Sequence, residues 1–112
     1  MLRAEEAARL VAAVDSPGLR LHLDTACMAL AGDDAAASAD RFAPLLRHAH
    51  LSEPDLAAVG TPDRAHADFV AALRAVGYDR YLSVEMRPTD GDPVAAVDRA
   101  ARYAVALCRE RP

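Results

Sequence analysis

Three short runs of alternating residues each carry a side chain able to bind a metal at or near their last position. They are Leu19–Asp24 (LRLHLD), Arg47–Leu51 (RHAHL) and Tyr81–Met86 (YLSVEM), and the residues are Asp24, His50 and Glu85. Two carboxylates and an imidazole form a mixed oxygen and nitrogen donor set. That set suits manganese, magnesium or zinc better than copper or an iron–sulfur cluster. A carboxylate in the same place can also take a proton from carbon. Such chemistry requires the three runs to be neighbouring parallel strands, whose C-terminal ends meet along one rim.

The pattern between the runs supplies that arrangement. Helix is expected from Leu2 to Val14, stopped by Asp15-Ser16-Pro17-Gly18, and again over Ala35 to Leu46 after the break at Gly32-Asp33-Asp34. Thr61-Pro62 and Asp92-Pro93 each place a capping residue before a proline suited to a first helical turn. The helix begun at Thr61 ends before Gly77, and the last one runs to about Arg109. The order is α-β-α-β-α-β-α: three parallel strands and four helices, in βαβ units.

Alternation identifies the kind of sheet. Leu19, Leu21 and Leu23 share one face of the first strand, and Arg20, His22 and Asp24 the other. Ala49 and Leu51 oppose His48 and His50; Leu82, Val84 and Met86 oppose Tyr81, Ser83 and Glu85. A doubly wound sheet, covered on both sides, reads as almost continuous apolar strands. Here one face is apolar and the other polar, as in an arc of barrel whose inner face is free of helices. A full (β/α)₈ barrel takes about 250 residues, and this chain has 112. The expectation is one α/β domain over residues 1–112 forming part of a TIM barrel: a fragment, a split subunit or an oligomerising partial barrel. Its two sheet edges would need a partner.

The remaining composition excludes several classes. The net charge is −4 and no basic run exceeds two residues, which argues against a nucleic-acid phosphate backbone as ligand. No apolar stretch approaches the ~20 residues of a membrane span. Cys27 and Cys108 are too few for a disulfide framework, and a cytoplasmic location is the default.

In this order and spacing, LHLDTACM, RHAHLSEPDLAAVG and ALRAVGYDRYLSVEMRP resemble the last three strand regions of the sugar phosphate isomerase/epimerase proteins, the xylose isomerase-like TIM barrels. The resemblance covers nearly the whole chain, from the helix before the sixth barrel strand to the final helix. It implies that Asp24, His50 and Glu85 are metal ligands, with Glu85 also the acid/base carboxylate. The implied cofactor is a divalent Mn, Mg, Co or Zn ion, and the implied substrate a small sugar or sugar phosphate. His48, Glu53 and Arg87 are candidate substrate contacts. The pattern departs from the family at three points. A ligand Glu on an earlier strand has no counterpart, Cys27 stands where some epimerases have a substrate-binding His, and Leu56 stands where they have an Arg.

The expected function is therefore metal-dependent isomerisation or epimerisation, with proton transfer next to a carbonyl, by a chain that is incomplete in isolation. The alternative is a non-catalytic assembly module, completed by self-association or by a complementary barrel-forming chain. A third reading, an abasic-site nuclease relative, suits neither the charge nor the four His. Other roles stay open residue by residue. Asp24 could simply cap a turn, His50 could be a hydrogen-bonded core residue, and Cys27 could be an inert small residue. His66 is expected to be solvated.

Overall fold

The computed structural model describes residues 3–88 and 90–110. Three parallel strands, β1 (Leu21–Asp24), β2 (Leu46–Leu51) and β3 (Leu82–Val84), form a sheet in the order β1-β2-β3. Five helices surround one side of it: α1 (Ala4–Val14), α2 (Thr25–Ala31), α3 (Ala35–Phe42), α4 (Arg64–Ala75) and α5 (Pro93–Arg109).

Two helical boundaries and one added helix differ from the sequence reading. The expected helix over Ala35 to Leu46 stops at Phe42. Pro44 then shapes a single 3₁₀ turn, Ala43–Leu45, and β2 starts at Leu46. The extra helix, α2, begins on the residue after β1. The Asp24 carboxylate accepts the Cys27 N–H at 2.8 Å and so caps α2 with no intervening loop. Likewise α4 starts later than Thr61-Pro62 suggests, with Asp63 as its cap. The Asp92-Pro93 start of α5 matches its reading, as Asp92 accepts the Val94 N–H.

The helix α4 ends in a Schellman turn. The N–H groups of Gly77 and Tyr78 reach back to the carbonyls of Arg74 and Leu73 at 3.1 and 2.9 Å. Gly77 takes the left-handed φ of 74° that this turn requires. Tyr78 packs against the core from that position.

The apolar face of the sheet is the core. Leu21, Leu23, Leu46, Ala49 and Leu51 are buried with Ala39, Phe69, Val70, Leu73 and Leu107 from the helices. Leu46 joins that face because a bulge leaves Arg47 as the extra residue: Leu21 pairs with Leu46, and His22 with His48. On the opposite face His22 is exposed, and His48 and His50 are half-buried. This face is the more open of the two, as expected for the inner wall of a barrel arc.

Candidate metal centre

Register brings the rim residues together. Asp24 pairs with His50 across β1 and β2, and His50 with Ser83 across β2 and β3. The Glu85 N–H continues that pairing to the Leu51 carbonyl at 3.0 Å, one pleat beyond Ser83 on the same face. His50 Nδ1 therefore lies 3.4 Å from Asp24 Oδ2 and 3.2 Å from Glu85 Oε2. A ring nitrogen donates at most one hydrogen bond, yet two carboxylates converge on this one. Donor atoms about 2.1 Å from a shared cation stand about 3.0–3.4 Å apart, so each carboxylate's distance to His50 suits a shared ion; the donor group that closes within 4.8 Å is His22, Asp24 and His50, with Glu85 outside it. Exposure rises from 8% at Asp24 through 20% at His50 to 50% at Glu85. Access is thus from the Glu85 side.

Asp24 is held rigidly. Its Oδ1 accepts the Cys27 N–H and, at 2.7 Å, the Ser52 hydroxyl, leaving Oδ2 for His50. Burial pushes this carboxyl up, but the hydrogen bonds from Cys27 and Ser52 outweigh it, and the balance lies below the ordinary Asp value. Ser52 is fixed in turn. Its hydroxyl accepts the Ala26 N–H, its own N–H donates to Thr25 Oγ1, and the Thr25 hydroxyl donates to the Ser52 carbonyl. Ser52 thus positions the carboxylate.

His66 is also placed differently from its reading. It is 2% exposed rather than solvated. Its Nε2 faces the Ser52 carbonyl at 3.1 Å, and its Nδ1 faces the Tyr103 hydroxyl at 3.2 Å. It ties α4 and α5 to the strand end that holds Ser52.

The remaining candidates are spread out. His48 stays on the open face, its ring 4.9 Å from that of His50 and 5.3 Å from that of His22. Glu53 points to His66, 3.5 Å from its Nε2, and lines a separate cavity of about 390 Å³ with Thr25, Asp33 and Asp63. Arg87 is exposed, and its N–H donates to the Leu56 carbonyl at 2.8 Å. Beside the centre itself is a smaller cavity of about 210 Å³, lined by His22, Asp24, Cys27 and Glu85 among others. A ligand site typically occupies about 300–1,000 Å³, so these walls make part of a cleft.

Two neighbours are tuned by this setting. Desolvation, then the His50 and His48 imidazoles, push His22 below the ordinary His value, which keeps its ring neutral. Desolvation, then the hydrogen bond and charge of Asp24 and the charge of Glu85, push the Cys27 thiol up. A thiol shifted that way is a poor nucleophile.

The family model described as xylose isomerase-like TIM barrel matches residues 1–108. The chain belongs to this family. No curated protein matches it significantly. Among solved structures, an L-ribulose 3-epimerase superposes with a TM-score of 0.83 at 21% identity, over 98% of this chain and 47% of that one. A 3-keto-D-glucoside 4-epimerase from E. coli gives 0.82 at 21% identity, over 93% and 40%. A D-psicose 3-epimerase, solved in the presence of D-fructose, gives 0.77 at 25% identity, over 96% and 43%. This xylose isomerase-like chain thus spans under half the length of the structures it resembles. Its three strands and five helices are part of a TIM barrel. Among its described residues, none of the helices is long and apolar enough to cross a membrane.

Proposed function

We propose that residues 1–112 form one domain, the C-terminal βα units of a metal-dependent sugar isomerase or epimerase. The observation that carries this reading is the pair of carboxylates, Asp24 and Glu85, on one nitrogen of His50 at a strand mouth. These three residues would hold a divalent cation. Bound there, the ion would acidify the C–H next to a sugar carbonyl by drawing charge from the carbonyl and hydroxyl oxygens.

Each residue then has a distinct task. Asp24, fixed by Ser52 and by the first turn of α2, gives the site a rigid anionic floor. Glu85, half-exposed at the mouth, accepts the proton from carbon and returns it. His48, along the same wall, is placed to hydrogen-bond a substrate hydroxyl. Arg87, in the loop after β3, is available to an anionic group such as a phosphate. Glu53 acts from the adjacent cavity. The substrate is a small sugar or sugar phosphate, and the setting is cytoplasmic.

Both outer strands, β1 and β3, pair on one side only. The remaining barrel walls come from further protein: more of the same polypeptide, a second copy or a complementary chain. That same observation supports the second reading, an assembly module without catalysis.

Calorimetric titration with manganese tests the first reading. The wild-type chain should bind one ion, and Glu85→Ala and His50→Ala should each weaken binding at least about tenfold. No binding by the wild type, or equal binding by all three proteins, would refute it.

A further inference from the structure

The open wall carries one more donor beside the centre. His22 lies two residues before Asp24, on the same face of β1. Its ring meets that of His50 edge-on, with centroids 4.2 Å apart. A ring nitrogen of His22, a carboxylate oxygen of Asp24 and a ring nitrogen of His50 all lie within 4.8 Å of one another. The imidazole hydrogen bonds among the described residues belong to His50 and His66, so neither nitrogen of His22 is engaged.

We propose that His22 is a metal ligand beside Asp24 and His50, and that this pair of imidazoles selects zinc over magnesium. The proposal rests on the metal reading of Asp24, His50 and Glu85. Two imidazoles and a carboxylate are a donor set suited to zinc, whose bonds to imidazole and carboxylate are both short. Magnesium demands six oxygens in near-ideal octahedral order, and each imidazole placed in the set works against it.

Two comparisons within the molecule sharpen the assignment. His48 sits on the same wall, but its ring lies farther from His50 than that of His22, and it falls outside the 4.8 Å group. Glu53, Asp63 and His66 also gather within 4.8 Å. There, however, both imidazole nitrogens are occupied, by the Ser52 carbonyl and the Tyr103 hydroxyl. That cluster is a structural tie.

The test is zinc and magnesium titration of the full chain, with His22→Phe, His48→Phe and His50→Phe variants. Phenylalanine keeps the ring packing and removes the nitrogens, and circular dichroism checks folding. The wild type should take one zinc, at least about a hundredfold tighter than magnesium. His22→Phe should weaken zinc binding at least about tenfold, while His48→Phe leaves it unchanged. On wild-type protein, nitrogen-15 spectra should show the bound His22 nitrogen shifting as zinc is added. Zinc bound equally by His22→Phe and wild type, but lost in His50→Phe, overturns the His22 assignment and leaves the three-residue centre standing. Zinc bound no tighter than magnesium overturns the selectivity. A wild type that binds neither ion overturns both readings.

Discussion

The two oxygens of Asp24 face different partners. Oδ1 takes the cap of α2 and the Ser52 hydroxyl; Oδ2 faces the Nδ1 of His50. The cap uses one oxygen, and the other is left free for the ligand role proposed above. Ser52→Ala removes a buried donor to Asp24 and the acceptor of the Ala26 N–H. The variant should lose about 1–3 kcal/mol in urea denaturation. Its metal affinity should also fall, by about tenfold or more, because Asp24 is no longer held. The convergence of Asp24, His50 and Glu85 was legible because each lies at or near the end of a run with one apolar and one polar face. Ser52 and His66 were not. Their partners Thr25, Asp24 and Tyr103 lie far off in the chain, and a histidine in an Ala- and Arg-rich helix gives no sign of burial.

Among elements, the loop between α2 and α3 holds the start of α1. Asp33 Oδ2 accepts the Ala4 N–H at 2.8 Å, and Oδ1 meets the Arg3 guanidinium at 2.9 Å. The carboxylate thus caps a helix remote from it in sequence, at the positive end of the helix dipole. The Ala4 N–H, against a smaller desolvation cost and with help from Arg3, holds the Asp33 carboxyl below the ordinary value. A depressed carboxyl stabilises the fold fully above its unfolded value of about 3.9, and the contribution is lost as pH falls through the folded value. Asp33→Asn keeps a capping oxygen but loses the charge, and should therefore cost about 0.3–1 kcal/mol at pH 7. The gap between wild type and variant should close as pH falls below about 4, as measured by urea titration at several pH values. From sequence, Gly32-Asp33-Asp34 read only as a break, because a cap supplied from another element leaves no local pattern. Helix α2 was missed for a related reason: no turn residues separate it from β1, since the last residue of the strand is also its cap.

At the scale of the molecule, the one-sided polarity of the strands was the most readable feature. It distinguished a barrel arc from a doubly wound sheet, and the exposed His22 and half-buried His48 and His50 occupy the face it assigned to the lumen. The sequence could not show how the open wall is completed, since a strand pattern carries no record of what lies beyond an edge. Tyr81, beside β3, is 84% exposed, and both outer strands present unpaired edges. Light scattering should show mass rising above the monomer as concentration increases. A folded monomer over a wide range would contradict pairing between copies.

The most direct measurement is anomalous diffraction from crystals of the chain grown with manganese or zinc. One peak should lie about 2.0–2.2 Å from Asp24 Oδ2, His50 Nδ1 and Glu85 Oε2, at the mouth of the three strands. A metal found elsewhere, or a mouth without anomalous density in crystals saturated with either ion, would contradict the account.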